Sequence, residues 1–333
     1  MRIVFHIGAG KSGSSAIQAT LAQNRVKLAA AGILIPPTDL SPKGPTSGNQ
    51  VFAFEQLKGP EPSKAAAQFA ALFEPLVAEA EQEAMHTVIF SAENLSNPFE
   101  WGPVLSPALE GHTIETILYV RRQDEYLLSA WQQWGLKINV SFDEWLLRHL
   151  GKTADWSIPI KQWRNVGSNA REHVRVFSRD LLINGDVVAD FCETLGFADL
   201  DLVYSGNVNQ SYGIAAEELM LDAAEVFDGP HDNRFARFLD RVGQGGHTKQ
   251  EGESRLSTLE RQLILNHYAD SNEWIRQNCF PPEESLPPRL FALPPESGAM
   301  PSDTELLHKK LGLIVELIFG EHLDRIEVND ANG

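Results

Sequence analysis

The sequence is poor in the residues that staple or metallate a fold. Cysteine occurs only twice, at Cys192 and Cys279. That excludes a disulfide framework, and no metal-ligand spacing surrounds either thiol. No apolar run approaches the ~20 residues that a membrane helix needs. The opening apolar stretch stops at Gly8 and has no basic region leading into a long apolar segment, so no secretory signal is read. Internal repeats and low-complexity tails are missing as well. These absences predict a cytoplasmic chain with no metal and no membrane span. Basic residues are also scarce, with 28 Lys and Arg against 45 Asp and Glu, a net charge of −17. A chain this acidic repels nucleic acid and long sulfated or phosphorylated polymers, but a small anion held in a pocket remains compatible with it.

What is present is an ordinary globular composition, 43% hydrophobic and 22% charged over 333 residues. Arg2–Ile7 ("RIVFHI"), Thr87–Asn94, Thr113–Arg122 and His173–Asp180 are short apolar runs that predict buried strands. Between and after them, helical periodicity covers Ser12–Ala31, Lys64–Ala84, the stretch "DEYLLSAWQQWGL", Phe142–Leu150, Pro159–Asn165 and "DVVADFCETLGF", with Ala215–Asp228, Ser257–Gln277 and Ser302–Leu317 following. Thr38–Gln50 is rich in Pro, Gly and Ser and reads as a long loop, as does the stretch from Asn97 to about Gly111. Alternating strands and helices predict an α/β fold, a central parallel sheet with helices on both faces. The expected organisation is one domain over 1–333, with an α/β core at 1–197 and a mainly helical part at 198–333 packed on it.

The first strand runs into "GAGKSGSS". An ATP-type phosphate loop would need glycine at position 5, where Phe5 stands. The anion-binding physics survives without it. A strand, a glycine turn and a helix N-terminus aim free N–H groups and the helix dipole at one point. Lys11 adds a full charge, Ser12, Ser14 and Ser15 add hydroxyl donors, and Gly10 and Gly13 let the backbone approach the anion. The plainer reading is a helix capped by Ser12 or Ser14, with Lys11 in solvent. Further on, "YVRRQDEYLLSAW" places Arg121 eight residues before Ser129. An arginine at the C-terminal end of a strand offers a fork of donors at the edge where open α/β sheets bind ligands. Arg122 is the rival; neighbouring strand residues point to opposite faces, so one of the two enters a site. The plainer reading pairs both arginines with Asp124 and Glu125.

Lys11-Ser12-Gly13-Ser14-Ser15 after a strand, followed by Arg121 and Ser129, resembles the sulfotransferases that use 3′-phosphoadenosine 5′-phosphosulfate (PAPS). "AAAGILIP", "IFSAENLS", "VFSRDLL" and "RLSTLERQLI" look similar to bacterial members, and the resemblance covers Met1–Phe197 well and the rest loosely. It implies a P-loop-like sulfotransferase fold and a nucleotide-binding site for PAPS, with 3′-phosphoadenosine 5′-phosphate (PAP) as product and no metal. It further implies a 5′-phosphosulfate site at Gly10–Ser15 and a 3′-phosphate site at Arg121 and Ser129. In such an enzyme Lys11 stabilises the leaving phosphate, and a base takes the acceptor's proton. Glu93, just after the strand "TVIFS", is the candidate base; its plainer role is a capping or ion-paired loop carboxylate. His6 is read as a buried core histidine. Lys249 and Arg255, in or beside the glycine-rich Gly243–Arg255 stretch with His247, are candidates to close over the 3′-phosphate, although the family's tight Arg-Lys-Gly is missing. The tryptophans from Trp131 to Trp163 read as core, whereas Trp101 and Phe99 and the loop Thr38–Gln50 read as acceptor walls. Acidity points the acceptor toward a small metabolite, a lipid headgroup or a neutral sugar. The alternatives are a P-loop nucleotide-dependent kinase and a non-catalytic nucleotide-binding module of the same fold.

Overall fold

The computed structural model describes residues 1–41, 44–167, 170–204, 212–242, 248, 253–280, 289–292 and 300–331. The chain divides into two compact units, and three segments of it contribute to each.

The first unit comprises Met1–Arg122, Asp155–Val208 and Asp270–Phe291. It contains a five-stranded sheet of β1 (Arg2–Ile7), β2 (Ile33–Leu34), β3 (Thr87–Ala92), β4 (Thr113–Val120) and β5 (Arg171–Val176). The strands lie in the order β2-β3-β1-β4-β5, and every neighbouring pair is parallel. Parallel neighbours require crossover connections. Helices α1 (Ser14–Gln23) and α2 (Arg25–Ala30) lead from β1 to β2, α3 (Val51–Gln56) and α4 (Pro62–Gln82) from β2 to β3, and α5 (Gly102–Leu109) from β3 to β4. The unit is completed by α8 (Ser157–Trp163), α9 (Val187–Leu195) and α13 (Ala269–Asn278).

Both sheet faces are covered, which is why β1 and β3 read as continuous apolar runs. Val4 and Ile89 point toward a cluster with Ile17, Leu21, Leu28 and Phe191. Their neighbours Phe5 and Phe90 stack on each other at 5.2 Å on the opposite face, where Phe5 also meets Trp163 and both rings meet Phe54.

The second unit comprises Gln123–Ala154, Asn209–Ala269 and Ala292–Gly333 and is helical: α6 (Gln123–Ala130), α7 (Phe142–His149), α10 (Ile214–Asp222), α11 (Arg234–Val242), α12 (Thr258–His267) and α14 (Asp303–Ala331). After α6 the chain widens into a π turn at Trp131–Gly135. A buried ion pair, Arg261 Nη1 to Asp124 Oδ2 at 2.5 Å, ties α12 to α6. The fold is therefore α/β, a parallel sheet flanked by helices, with a mostly helical C-terminal third.

Several predicted elements change on folding. The single helix expected over Ser12–Ala31 starts at Ser14 and is interrupted at Asn24, which leaves helical geometry at φ −99° while its side-chain amide donates to the carbonyls of Thr20 and Val203. The loop expected from Asn97 to Gly111 contains α5. Its Pro103 stands in the first turn, where no N–H is needed. Trp101 is fully buried against Phe54, Phe99 and Trp163, so it is core and not an acceptor wall. Trp131, Trp145, Trp156 and Trp163 are buried, as expected of core residues.

Candidate active site

The connection leaving β1 goes to one side of the sheet, toward β2, and the one leaving β3 crosses β1 to reach β4 on the other. A crevice therefore opens at the carboxyl ends of β1 and β4, the place where open α/β sheets bind ligands. Residues 8–13 turn there. Gly8 N–H donates to the Ala92 carbonyl at 3.1 Å, which holds the turn against the end of β3. A Cβ on Gly8 would lie 3.1 Å from Ser14 Oγ and 3.3 Å from that carbonyl, so the approach is close.

Two residues of the turn hold left-handed backbone conformations, Lys11 at φ 64° and Gly13 at φ 83°. For lysine this conformation costs about 1–2 kcal/mol, and such strain persists where the surroundings impose it. The imposing contacts are visible. Arg121 Nη1 donates to the Lys11 carbonyl at 2.5 Å, and the same guanidinium sits 5.5 Å from the centre of the Phe177 ring. Trp156 Nε1 donates to the Arg121 carbonyl at 2.7 Å and fixes the end of β4. Arg121 thus meets the loop directly.

Gly13 is pressed from the other side by α9. A Cβ there would stand 2.7 and 2.9 Å from the methyls of Val187 and 3.0 Å from Phe177. Helix α9 is itself locked by buried Asp190, which accepts from Tyr119 Oη at 2.9 Å and from Arg175 Nη2 at 2.6 Å. Gly13→Ala is accordingly expected to cost about 2–4 kcal/mol, from left-handed strain plus overpacking. Urea denaturation checks this, and adding Val187→Ala should recover the overpacking part alone. An unchanged midpoint for Gly13→Ala would contradict the packing.

Helix α1 begins at this turn with no side-chain cap, so its first amides face out of the helix end with the positive pole of its dipole. The capping by Ser12 or Ser14 that the plainer reading would need does not occur. Ser14 Oγ donates instead to the Ala9 carbonyl at 2.9 Å. Ser12 Oγ is buried and has no hydrogen-bond partner among the described residues. Ser15 is exposed and Gly10 half-buried.

Glu93 follows Ala92, the register partner of Ile7, so it enters the crevice beside the loop. It opens a single 3-10 turn, Glu93–Ser96, that Asn94 pins by donating to the Val51 carbonyl and to Glu55 Oε2, both at 2.8 Å. Burial pushes the Glu93 carboxyl above its ordinary range, and the Lys11 ammonium opposes that shift without cancelling it. Among the described residues no hydrogen bond to the Glu93 carboxylate is seen, and its electrostatic partner is Lys11. The result is a desolvated carboxylate facing a lysine.

Beneath this surface lies a buried polar chain that sequence reasoning missed. His6 Nδ1 meets Ser91 Oγ at 2.7 Å, and Gln18 Nε2 donates to the same oxygen at 3.2 Å. Burial drives the His6 pKa down to about 3, so the ring is neutral, the buried core histidine expected. Gln50 completes the chain. Its N–H donates to the Ser91 carbonyl and its Oε1 accepts from the Ser91 N–H, while Nε2 donates to Pro36. The one signal in the sequence was His6 within the apolar run "RIVFHI"; nothing around Gln50 in "TSGNQ" marks it as buried.

The remaining sequence candidates fall elsewhere. Ser129 belongs to the second unit, half-buried on α6. Arg255 is in the same unit, with Nε at 2.6 Å from Glu217, Nη2 at 2.6 Å from Glu218 and its guanidinium over the Trp131 ring at 4.7 Å. Two carboxylates thus already neutralise it. Lys249 and His247 lie outside the described residues. Lys11, Glu93, Arg121 and the loop Gly10–Ser15 are brought together in the first unit. Among the described residues no group of three or more His, Cys, Asp or Glu is arranged to hold a metal, and no helix is long and apolar enough to cross a membrane.

No protein-family profile matches the chain, and no curated protein matches it. Among solved structures it is similar to a sulfotransferase from Alicyclobacillus acidocaldarius, with a TM-score of 0.34 and 16% identity over 68% of this chain and 96% of that one.

Proposed function

We propose that the chain is a PAPS-dependent sulfotransferase, acting on a hydroxyl or amine of a small or neutral acceptor. The observation that carries this reading is Lys11, held in a strained turn with Arg121 on its carbonyl and a desolvated Glu93 within range of its charge. The unpartnered Ser12 hydroxyl and the uncapped start of α1 fit an anion at the same place. Gly10–Ser15 would hold the 5′-phosphosulfate, and Arg121 with Ser129 the 3′-phosphate. The donor supplies an activated sulfuryl group whose S–O bond to phosphate breaks as the acceptor's bond to sulfur forms.

The chain's own residues do the rest. Glu93 accepts the acceptor's proton at a carboxylate oxygen, and its raised affinity for protons suits a general base. Lys11 and the α1 amides meet the charge that grows on the leaving phosphate, a pre-set arrangement that needs no reorganisation during reaction. Phe177 and Val187 wall the loop with apolar surface and limit water.

Calorimetric titration with PAP, with ATP–Mg²⁺ as comparison, tests the reading. Binding of PAP with ATP ignored is expected, and Arg121→Ala should weaken it by roughly 10–100-fold, the worth of a charge-assisted hydrogen bond. A preference for ATP–Mg²⁺ would make the protein a kinase, and binding of neither would overturn every nucleotide-binding reading.

A further inference from the structure

A second concavity lies away from the crevice, at the free edge of the sheet beyond β2. It is a cavity of about 380 Å³ flanked by α2 and α4. Its walls are Ala29 of α2, Ile33 of the edge strand, Ile35 just after it, Leu76 and Ala80 of α4, and Met85. Ile33, Ile35, Leu76 and Ala80 are buried members of the core, so the walls are set by the fold itself. Gly44 and Thr46 of the Thr38–Gln50 connection close one side. Small-molecule sites are typically of this size, mostly apolar and largely pre-formed.

The rim decides what enters. Among the described residues its charged groups are Arg25, Glu79 and Glu83, two carboxylates against one guanidinium, on a chain of net charge −17. That balance turns away fatty acids and other anionic amphiphiles. A peptide strand is turned away for a different reason. β2 offers only two residues of ladder before Pro36 and Pro37, and a proline brings no N–H to an added strand. We infer that the cavity between α2, β2 and α4 binds a neutral small molecule with a hydrocarbon body, of the class of long-chain alcohols. The site stands independently of the reaction proposed above.

The test uses the full-length chain and the neutral fluorophore N-phenyl-1-naphthylamine, displaced by 1-alkanols of increasing length. One saturable dye site is expected, with displacement tightening about four-fold per added methylene until the cavity is full and then levelling off. Dodecanoate should compete more weakly than dodecanol. Ala29→Phe and, separately, Ala80→Leu fill the space from opposite helices. At least one should retain the circular dichroism of the parent while losing the dye. The inference fails if the parent shows no saturable dye site, or if a folded filling variant binds dye as before. Dodecanoate competing as well as dodecanol would overturn the assignment to a neutral ligand.

Discussion

Lys11→Gly is expected to abolish turnover while leaving the fold at least as stable as before. The two effects come from the same residue. The ammonium is the full positive charge placed on the loop that the proposed mechanism sets against the leaving group, and removing one such electrostatic partner typically costs about 10²–10³-fold in rate. The backbone of Lys11 meanwhile sits at φ 64°, a conformation that costs a residue with a Cβ about 1–2 kcal/mol. Glycine adopts it freely and gives back about 0.5–1 kcal/mol in extra chain entropy. The net change in stability should therefore fall between zero and about 1.5 kcal/mol in favour of the variant. Urea denaturation and product formation, measured on the same preparation, check both halves. Unchanged turnover would remove Lys11 from the chemistry. A clear loss of stability would mean that the turn is held by the lysine side chain and not imposed on it.

Glu93→Gln is the second variant with a large expected effect, and its signature is a pH dependence. In the folded chain the Glu93 carboxyl titrates above its ordinary 4.5, chiefly through burial. Between 4.5 and that raised value the unfolded chain releases the proton and the folded chain keeps it, so folding loses stability as pH rises through this window. Above it the loss is complete. Glutamine carries no charge to desolvate. Glu93→Gln should therefore unfold at a higher denaturant concentration than the parent at about pH 7, with the advantage shrinking as pH falls toward about 4. Turnover should fall by about 10²–10⁴-fold, the usual contribution of a positioned base. The parent's rate should in turn decline on the acid side as Glu93 becomes protonated. A variant that is less stable at neutral pH would show that the carboxylate is satisfied by a partner. One that is fully active would hand the proton to another group.

Both residues run against a local rule of folding, one by backbone conformation and the other by a partly buried carboxylate whose burial disfavours its charge. Such violations concentrate where function is carried.

The strands were legible because β1, β3 and β4 are buried in a parallel sheet, and a short continuous apolar run such as "RIVFHI", closed by glycines, suits a strand covered on both faces and little else. The loop after β1 was legible for a chemical reason: Lys, Ser and Gly at the start of a helix define a donor cluster whatever surrounds them. What escaped depended on partners distant in sequence. Pro103 and Pro107 made α5 look like loop, because the sequence does not say that the first falls where a helix tolerates proline. Trp101 looked like an exposed platform until Phe54 and Trp163 arrived from 47 and 62 residues away. Arg255 looked free for phosphate, yet Glu217 and Glu218, 38 and 37 residues earlier, occupy it. The break at Asn24 was hidden because its side-chain partner, the Val203 carbonyl, comes from 179 residues downstream.

The paired hydrogen bonds between Gln50 and Ser91 carry a consequence for how this molecule can change. A single glutamine stands in for the missing upper half of β2, supplying β3 with the donor and acceptor that a neighbouring strand would have given. The sheet edge at Ser91 is thus finished by one residue. Loss of Gln50 would leave a bare donor and acceptor on β3 there, an opening to pairing with a foreign strand.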